Sequence, residues 1–116
     1  QREVVDAFLR AARTGDFDAL VKVLDPTVVL HADAAAEEMG SFPTTEGAVQ
    51  VASMLAGGAQ TARRATVNGL AGLVWAPGGR VRSVIQFTVV EGLITAIDVT
   101  ADAERINGFD IAVLDT

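Results

Sequence analysis

The chain has 116 residues, the length of one domain, and half of them are hydrophobic, which is enough for one real core and rules out global disorder. It contains no cysteine, so a disulfide scaffold, thiol chemistry and a Cys-ligated metal site are excluded. With 9 Lys+Arg against 15 Asp+Glu the net charge is −6, which argues against direct binding to nucleic-acid phosphates. No apolar run approaches the roughly 18–20 residues of a membrane helix, so no membrane association is expected. Gln1 to Asp6 already read as helix and not as a signal peptide. Together with the missing cysteines, this leads to the expectation of a cytoplasmic protein. One Lys beside eight Arg, with abundant Ala, Val and Gly, fits a high-GC bacterial source. The start at Gln1 instead of Met suggests a single domain over 1–116 excised from a longer chain.

Val4, Val5, Phe8, Leu9 and Ala12 recur at helical spacing, with Arg2, Glu3, Asp6, Arg10 and Arg13 on the other face. Gly15 stops that helix, and Asp16 caps a second carrying Phe17, Leu20, Val21 and Leu24. Asp25-Pro26 is expected to end the second helix, because Pro disfavours helical geometry in the residue before it. The two should form a hairpin. Thr27 to His31 is a β-branched run and predicts a first strand. Ala32 to Phe42 reads as irregular or weakly helical. Thr44 or Thr45 can cap a third helix from about Glu46 to Leu55, closed by Gly57-Gly58.

From Arg63 onward the period changes to two. Asn68-Gly69, Pro77-Gly78-Gly79 and Glu91-Gly92 punctuate strands near 63–68, 72–76, 80–90 and 93–100, and such short connections predict antiparallel neighbours. The tail from Asp102 to Asp115 is too apolar to hang free and should dock on the body. Helices followed by an antiparallel meander make an α+β domain. A long curved sheet wrapped around N-terminal helices would form a cone open at one end.

Few residues carry potential chemistry. His31 is the single histidine, two residues before Asp33. If the strand runs that far, the pair shares a face and can do acid–base work; the plainer reading is a partly exposed edge histidine. Asp98 lies between Ile97 and Val99, and a buried carboxylate there would have a raised pKa and serve as a base. Alternation instead points it to solvent, because Leu93, Thr95, Ile97 and Val99 form the more apolar face unless a bulge intervenes. Trp75, the single tryptophan, can wall a pocket or fill the core. Gln86, mid-strand, can line a cavity or face water. Arg63, Arg64, Arg80 and Arg82 are the basic concentration, with Arg80 and Arg82 on one face of a strand; they read as a partner-docking patch or as solvated charges. There is no phosphate loop, nucleophile elbow or metal-spaced set, so neither a cofactor nor a metal is expected and no complete catalytic constellation is visible.

Residues 4–20, with Leu24-Asp25-Pro26-Thr27-Val28-Val29-Leu30, resemble the opening of SnoaL-like domains of the nuclear transport factor 2-like superfamily. Three further stretches resemble the C-terminal domain of SigJ-type extracytoplasmic-function sigma factors. They are Val67 to Val74, Ala76 to Arg82, and Ile94 to Val99 with Ala101 to Ile106. The resemblance spans nearly the whole chain. It implies a cone-shaped, cystatin-like α+β fold with a pocket, in which His31, Trp75, Gln86 and Asp98 are the candidate lining residues. It also implies a non-catalytic domain that regulates transcription initiation by contacting the sigma core, and through it RNA polymerase. Asp33-Ala34-Ala35-Ala36-Glu37-Glu38 stands where such sigma factors carry a Gly-rich acidic loop. The alternatives are a stand-alone isomerase or cyclase, with Asp98 or Asp33 as base and His31 or Gln86 polarising the substrate, and a sensor of a small-molecule ligand. A homodimer is compatible with either.

Overall fold

The computed structural model describes residues 1–40 and 44–114. Phe42 and Asp115, the far ends of two expected segments, lie outside the described residues. The chain runs through α1 (Arg2–Thr14), α2 (Phe17–Val23), β1 (Leu24–Ala32), α3 (Ala34–Glu38), β2 (Thr45–Glu46), α4 (Ala48–Leu55), β3 (Arg63–Val67) and β4 (Leu70–Trp75). It continues through a 3-10 turn at Pro77–Gly79, then β5 (Ser83–Val90), β6 (Leu93–Thr100), α5 (Ala103–Asn107) and β7 (Ile111–Val113). The strands form one seven-stranded sheet in the order β2-β1-β6-β5-β4-β3-β7. The expected meander β3-β4-β5-β6 is present and antiparallel. It is extended by β7 at one edge and by β1, which pairs parallel to β6, at the other.

The α1–α2 hairpin forms as its signals require. The Asp16 N–H bonds the Ala11 carbonyl at 2.9 Å past Gly15, and the Asp16 carboxylate accepts from Ala19 N–H at 3.1 Å. The helix after it ends earlier than Asp25-Pro26 suggests. Leu24 is already extended and opens β1, because Pro26 holds its predecessor in the β region and the strand absorbs the pair as an irregularity between Leu24 and Val29. There the Asp25 carboxylate accepts from the Thr27 N–H at 2.8 Å and hydroxyl at 2.7 Å. Helix α4 likewise starts later than expected, at Ala48. Thr45 and Glu46 pair with Leu30 and Val29 as β2, and the N-cap is Gly47 without a side-chain bond. The fifth strand begins at Ser83, three residues after the expected start, because the Pro77–Gly79 turn runs on into Arg80–Arg82 before pairing resumes.

The inner face of the sheet packs on the helices. Val5, Phe8, Leu9 and Ala12 of α1 and Val51 and Ala52 of α4 meet Leu30, Leu73, Phe87, Ile94 and Ile97 in one buried cluster. The rings of Phe8 and Phe87 contact edge-on with centroids 5.1 Å apart. A second, smaller cluster lies on the outer face, where Ala65, Val67, Val74 and Val84 are covered by Ile106, Phe109, Ile111 and Val113. The tail therefore docks as its apolar content predicts. It is pinned by reciprocal bonds between Asn68 and Asp110, at 2.8 and 2.9 Å.

Asn68-Gly69 and Glu91-Gly92 have φ of 51° and 82°, and of 52° and 80°, the positive values that tight hairpins of this hand require. Gly72 serves a different end: a Cβ there would stand 2.8 Å from the Ile85 carbonyl oxygen, which is backbone and cannot swing away. Gly72→Ala is expected to cost about 1–3 kcal/mol of stability, read as a lower urea midpoint at unchanged slope. An unchanged midpoint would show that the β4–β5 pairing relaxes freely.

Candidate functional site

Between α1, the segment after α4 and the inner face of the sheet lies a cavity of about 240 Å³. Phe8 and Ala12 come from α1, Ala59, Thr61 and Ala62 from the segment before β3, and Leu73, Ile85 and Val99 from the sheet. Its wall is apolar apart from Thr61, and none of the described residues lining it is ionisable. Trp75, at the end of β4, stands at the mouth with 37 % of its surface exposed. Its other side lines a groove of about 260 Å³ with Met39, Ser83 and Ala101. The arrangement can hold a small uncharged apolar molecule, with Thr61 as the polar residue of its wall.

The other residues singled out from the sequence fall elsewhere. His31, Asp98 and Gln86 are aligned across β1, β6 and β5, with His31 opposite Asp98 and Asp98 opposite Gln86. Their row lies on the outer face, alternating with Leu30, Ile97 and Phe87, which are buried inside. The His31 ring Nδ1 lies 3.2 Å from the Thr44 hydroxyl. Of the four candidate pocket residues, Trp75 alone lines the cavity. Asp33 does not share a strand face with His31, because β1 ends at Ala32 and Asp33 caps α3. The arginines separate as well. Arg64 turns toward α1, its guanidinium 3.4 Å from the Asp6 carboxylate, while Arg63 takes the opposite face of β3. Arg80 and Arg82 are exposed on either side of Val81, which packs on the outer cluster. The correction to their shared strand face is that neither belongs to β5.

Sequence reading passed over Thr61 and the alanines of the cavity, which have no chemical signature. It also passed over Arg10 and Arg13, which line a cleft of about 370 Å³ with Asp6, Leu9 and Arg64. Their i, i+3 spacing on α1 was the available signal; the partner strand was not visible.

Solved structures share this architecture. The chain matches the extracytoplasmic-function sigma factor SigJ of Mycobacterium tuberculosis with 26% identity and a TM-score of 0.70, over 91% of this chain and 43% of that one. An NTF2-like protein of unknown function from Cytophaga hutchinsonii matches with 16% identity and a TM-score of 0.57, over 91% and 93% of the two chains. A putative isomerase from Rhodopseudomonas palustris matches with 17% identity and a TM-score of 0.57, over 90% and 96%. The chain has the NTF2-like, cystatin-like fold. No protein-family model matches it, and no curated protein does. The chain spans less than half the length of the sigma factor, so the likeness concerns a part of that protein.

Within this NTF2-like frame, Asp33 is a clamp. Its carboxylate accepts from the N–H of Ala36 at 2.8 Å and from those of Ala101 and Asp102 at 3.1 Å, with Arg105 at 3.7 Å. It thereby ties the start of α3 to the end of β6 and the start of α5. Burial pushes its pKa up, but the three N–H donors and the Arg105 charge together outweigh it and hold the carboxyl below its ordinary value of 3.8. The ionised form is therefore favoured by folding. That stabilisation is complete above the unfolded value and disappears as pH falls through the lower folded one. Asp33→Asn is expected to cost about 1–3 kcal/mol at neutral pH, with the gap to wild type closing below about pH 4. Urea melts at pH 7 and pH 3 measure this, and a gap that stays constant would mean that the charge of Asp33 contributes nothing.

Proposed function

We propose that this domain is a non-catalytic regulatory module of an extracytoplasmic-function sigma factor, modulating transcription initiation through contacts with the sigma core and acting on RNA polymerase indirectly. The observation that carries the reading is the match to SigJ, with 26% identity and a TM-score of 0.70 over 91% of the chain. The chemistry of the cavity supports it. Abstracting a proton beside a carbonyl needs a base within reach of the substrate, and the cavity wall among the described residues offers none. His31 and Asp98 stand behind the sheet, and the Asp33 carboxylate is committed to backbone donors. The cavity itself favours a sensor role within the same reading, for an uncharged apolar ligand reported by Trp75.

Two measurements test this. Transcription in vitro is run with the full sigma factor and with a form lacking these 116 residues; a several-fold change in promoter-dependent initiation is expected, and unchanged initiation sinks the regulatory reading. Turnover of ketosteroid-like and epoxide substrates is expected to stay at buffer background. A rate well above background that vanishes in Asp98→Asn or Asp33→Asn would establish the isomerase alternative instead.

A further inference from the structure

Helix α1 has a second working side. Arg2, Asp6, Arg10 and Arg13 follow one another at spacings of four, four and three residues, so they form a stripe along the helix beside its buried face. Opposite them Arg64 projects from β3, and its guanidinium Nη1 lies 3.4 Å from each oxygen of the Asp6 carboxylate. This pair divides a groove into two lobes. The larger, of about 370 Å³, is lined by Leu9, Arg10, Arg13 and Thr14. The smaller, of about 90 Å³, is lined by Arg2, Val5, Thr66 and Leu114. Both lobes include Asp6 and Arg64.

The charge in this groove opposes that of the protein. Among the described residues, four of the eight arginines line it with one carboxylate, while the chain as a whole carries −6. Glu3, the nearest other acid along α1, is exposed and lines neither lobe. Two of the four guanidinium groups are held in place: Arg64 by Asp6, and Arg13 by the carbonyls of Ala59 and Ala62. Arg2 and Arg10 are exposed and have no partner among the described residues. The groove thus presents two uncommitted guanidinium groups, beside two that the fold already engages, above an apolar floor of Val5 and Leu9.

We propose that the α1–β3 groove binds an acidic peptide segment of the partner. This deepens the regulatory reading, on which it rests, by naming the surface and the chemistry of the contact. Length selects a peptide over a small anion. From Arg2 to Arg13 the helix rises about 16 Å, the span of roughly five extended residues, so the guanidinium groups cannot converge on one phosphate. Along the helix Arg2 stands about 12 Å from Arg10, the reach of about four extended residues, so an extended segment with an acid near each end meets both uncommitted arginines. A nucleic-acid backbone is the poorer occupant, because its dense charge would face the body of a −6 protein.

The probe is a fluorescently labelled hexaglutamate peptide, titrated against the 116-residue chain by anisotropy at low and at physiological salt. Wild type is expected to bind, more weakly as salt rises. Arg2→Glu/Arg10→Glu removes two groups that make no bond in the fold, and is expected to weaken binding by about tenfold or more. Arg80→Glu/Arg82→Glu makes the same change in net charge outside the groove and is expected to leave the affinity within about twofold. Thermal melts confirm that both variants fold. No binding by wild type, equal loss in both variants, or tighter binding of a single-stranded oligonucleotide of equal charge each overturns the proposal. The transcription comparison with and without the domain is independent of this titration. A lost groove leaves the regulatory reading standing, and an unregulated promoter leaves the peptide affinity to be judged on its own.

Discussion

Between Thr88 and Val89 the β5–β6 ladder slips. Thr88 faces Ala96 but Val89 faces Ile94, leaving Thr95 as an extra residue whose hydroxyl bonds back to the Thr88 carbonyl at 3.3 Å. A bulge of this kind bends its strand and increases the local twist. Here it also changes which side chains point inward. Ile94 and Ile97, three residues apart, are both fully buried on the inner face, which strict alternation would forbid. Much of the structure depends on this one offset. Ile94 meets Leu24 at the start of β1, so the parallel strand can be seated. The sheet then curves around α1 and brings Phe87 onto Phe8.

That curvature separates two kinds of surface. Inside, the upper part of the cone is not filled. Ala12, Ala59 and Ala62 line the cavity where larger side chains would close it, so the space follows from the choice of residue and not from a failure to pack. Outside, one end of the sheet is covered by the tail, and the rest carries the polar row of His31, Asp98 and Gln86. A carboxylate in that row is half exposed and is flanked by polar neighbours.

Local features were legible in the sequence because each needs only neighbouring residues. The hairpins at Asn68-Gly69 and Glu91-Gly92, the stop at Gly15 with its cap at Asp16, and the two-residue period after Arg63 are all realised. What was missed depends on distant partners. Leu24 reads as the last apolar position of a helix, and only the parallel strand β6 makes it the first residue of β1. Thr45 and Glu46 look like a helix start, and β1 turns them into an edge strand. At the candidate site, the sequence left Trp75 open between a pocket wall and core packing, because only the fold decides which side of β4 meets the cavity; the structure places it on the lining, part exposed. For Asp98, period-two counting pointed outward, and the bulge does not reverse it because it lies at Thr95, before Asp98, and leaves the alternation of Ile97, Asp98 and Val99 intact. The pairing of Arg64 with α1 was out of reach, since its partner Asp6 is 58 residues away in the chain.

The cavity and the arginine groove share one wall. The Gly57 N–H bonds the Ala12 carbonyl at 2.8 Å, and the Gln60 amide donates to the Arg13 carbonyl at 2.8 Å. The Arg13 guanidinium in turn donates to the carbonyls of Ala59 and Ala62, whose side chains line the cavity. One short segment is therefore fastened to the end of α1 by bonds running in both directions. Ala12 looks into the cavity and Arg13 into the groove. A residue added to or removed from this segment would change both surfaces at once, because the carbonyls that fix the Arg13 guanidinium belong to the same residues that define the floor of the cavity. The apolar and the charged side of the domain are held in register by that segment, and its backbone, more than any ionisable group, sets the geometry of both.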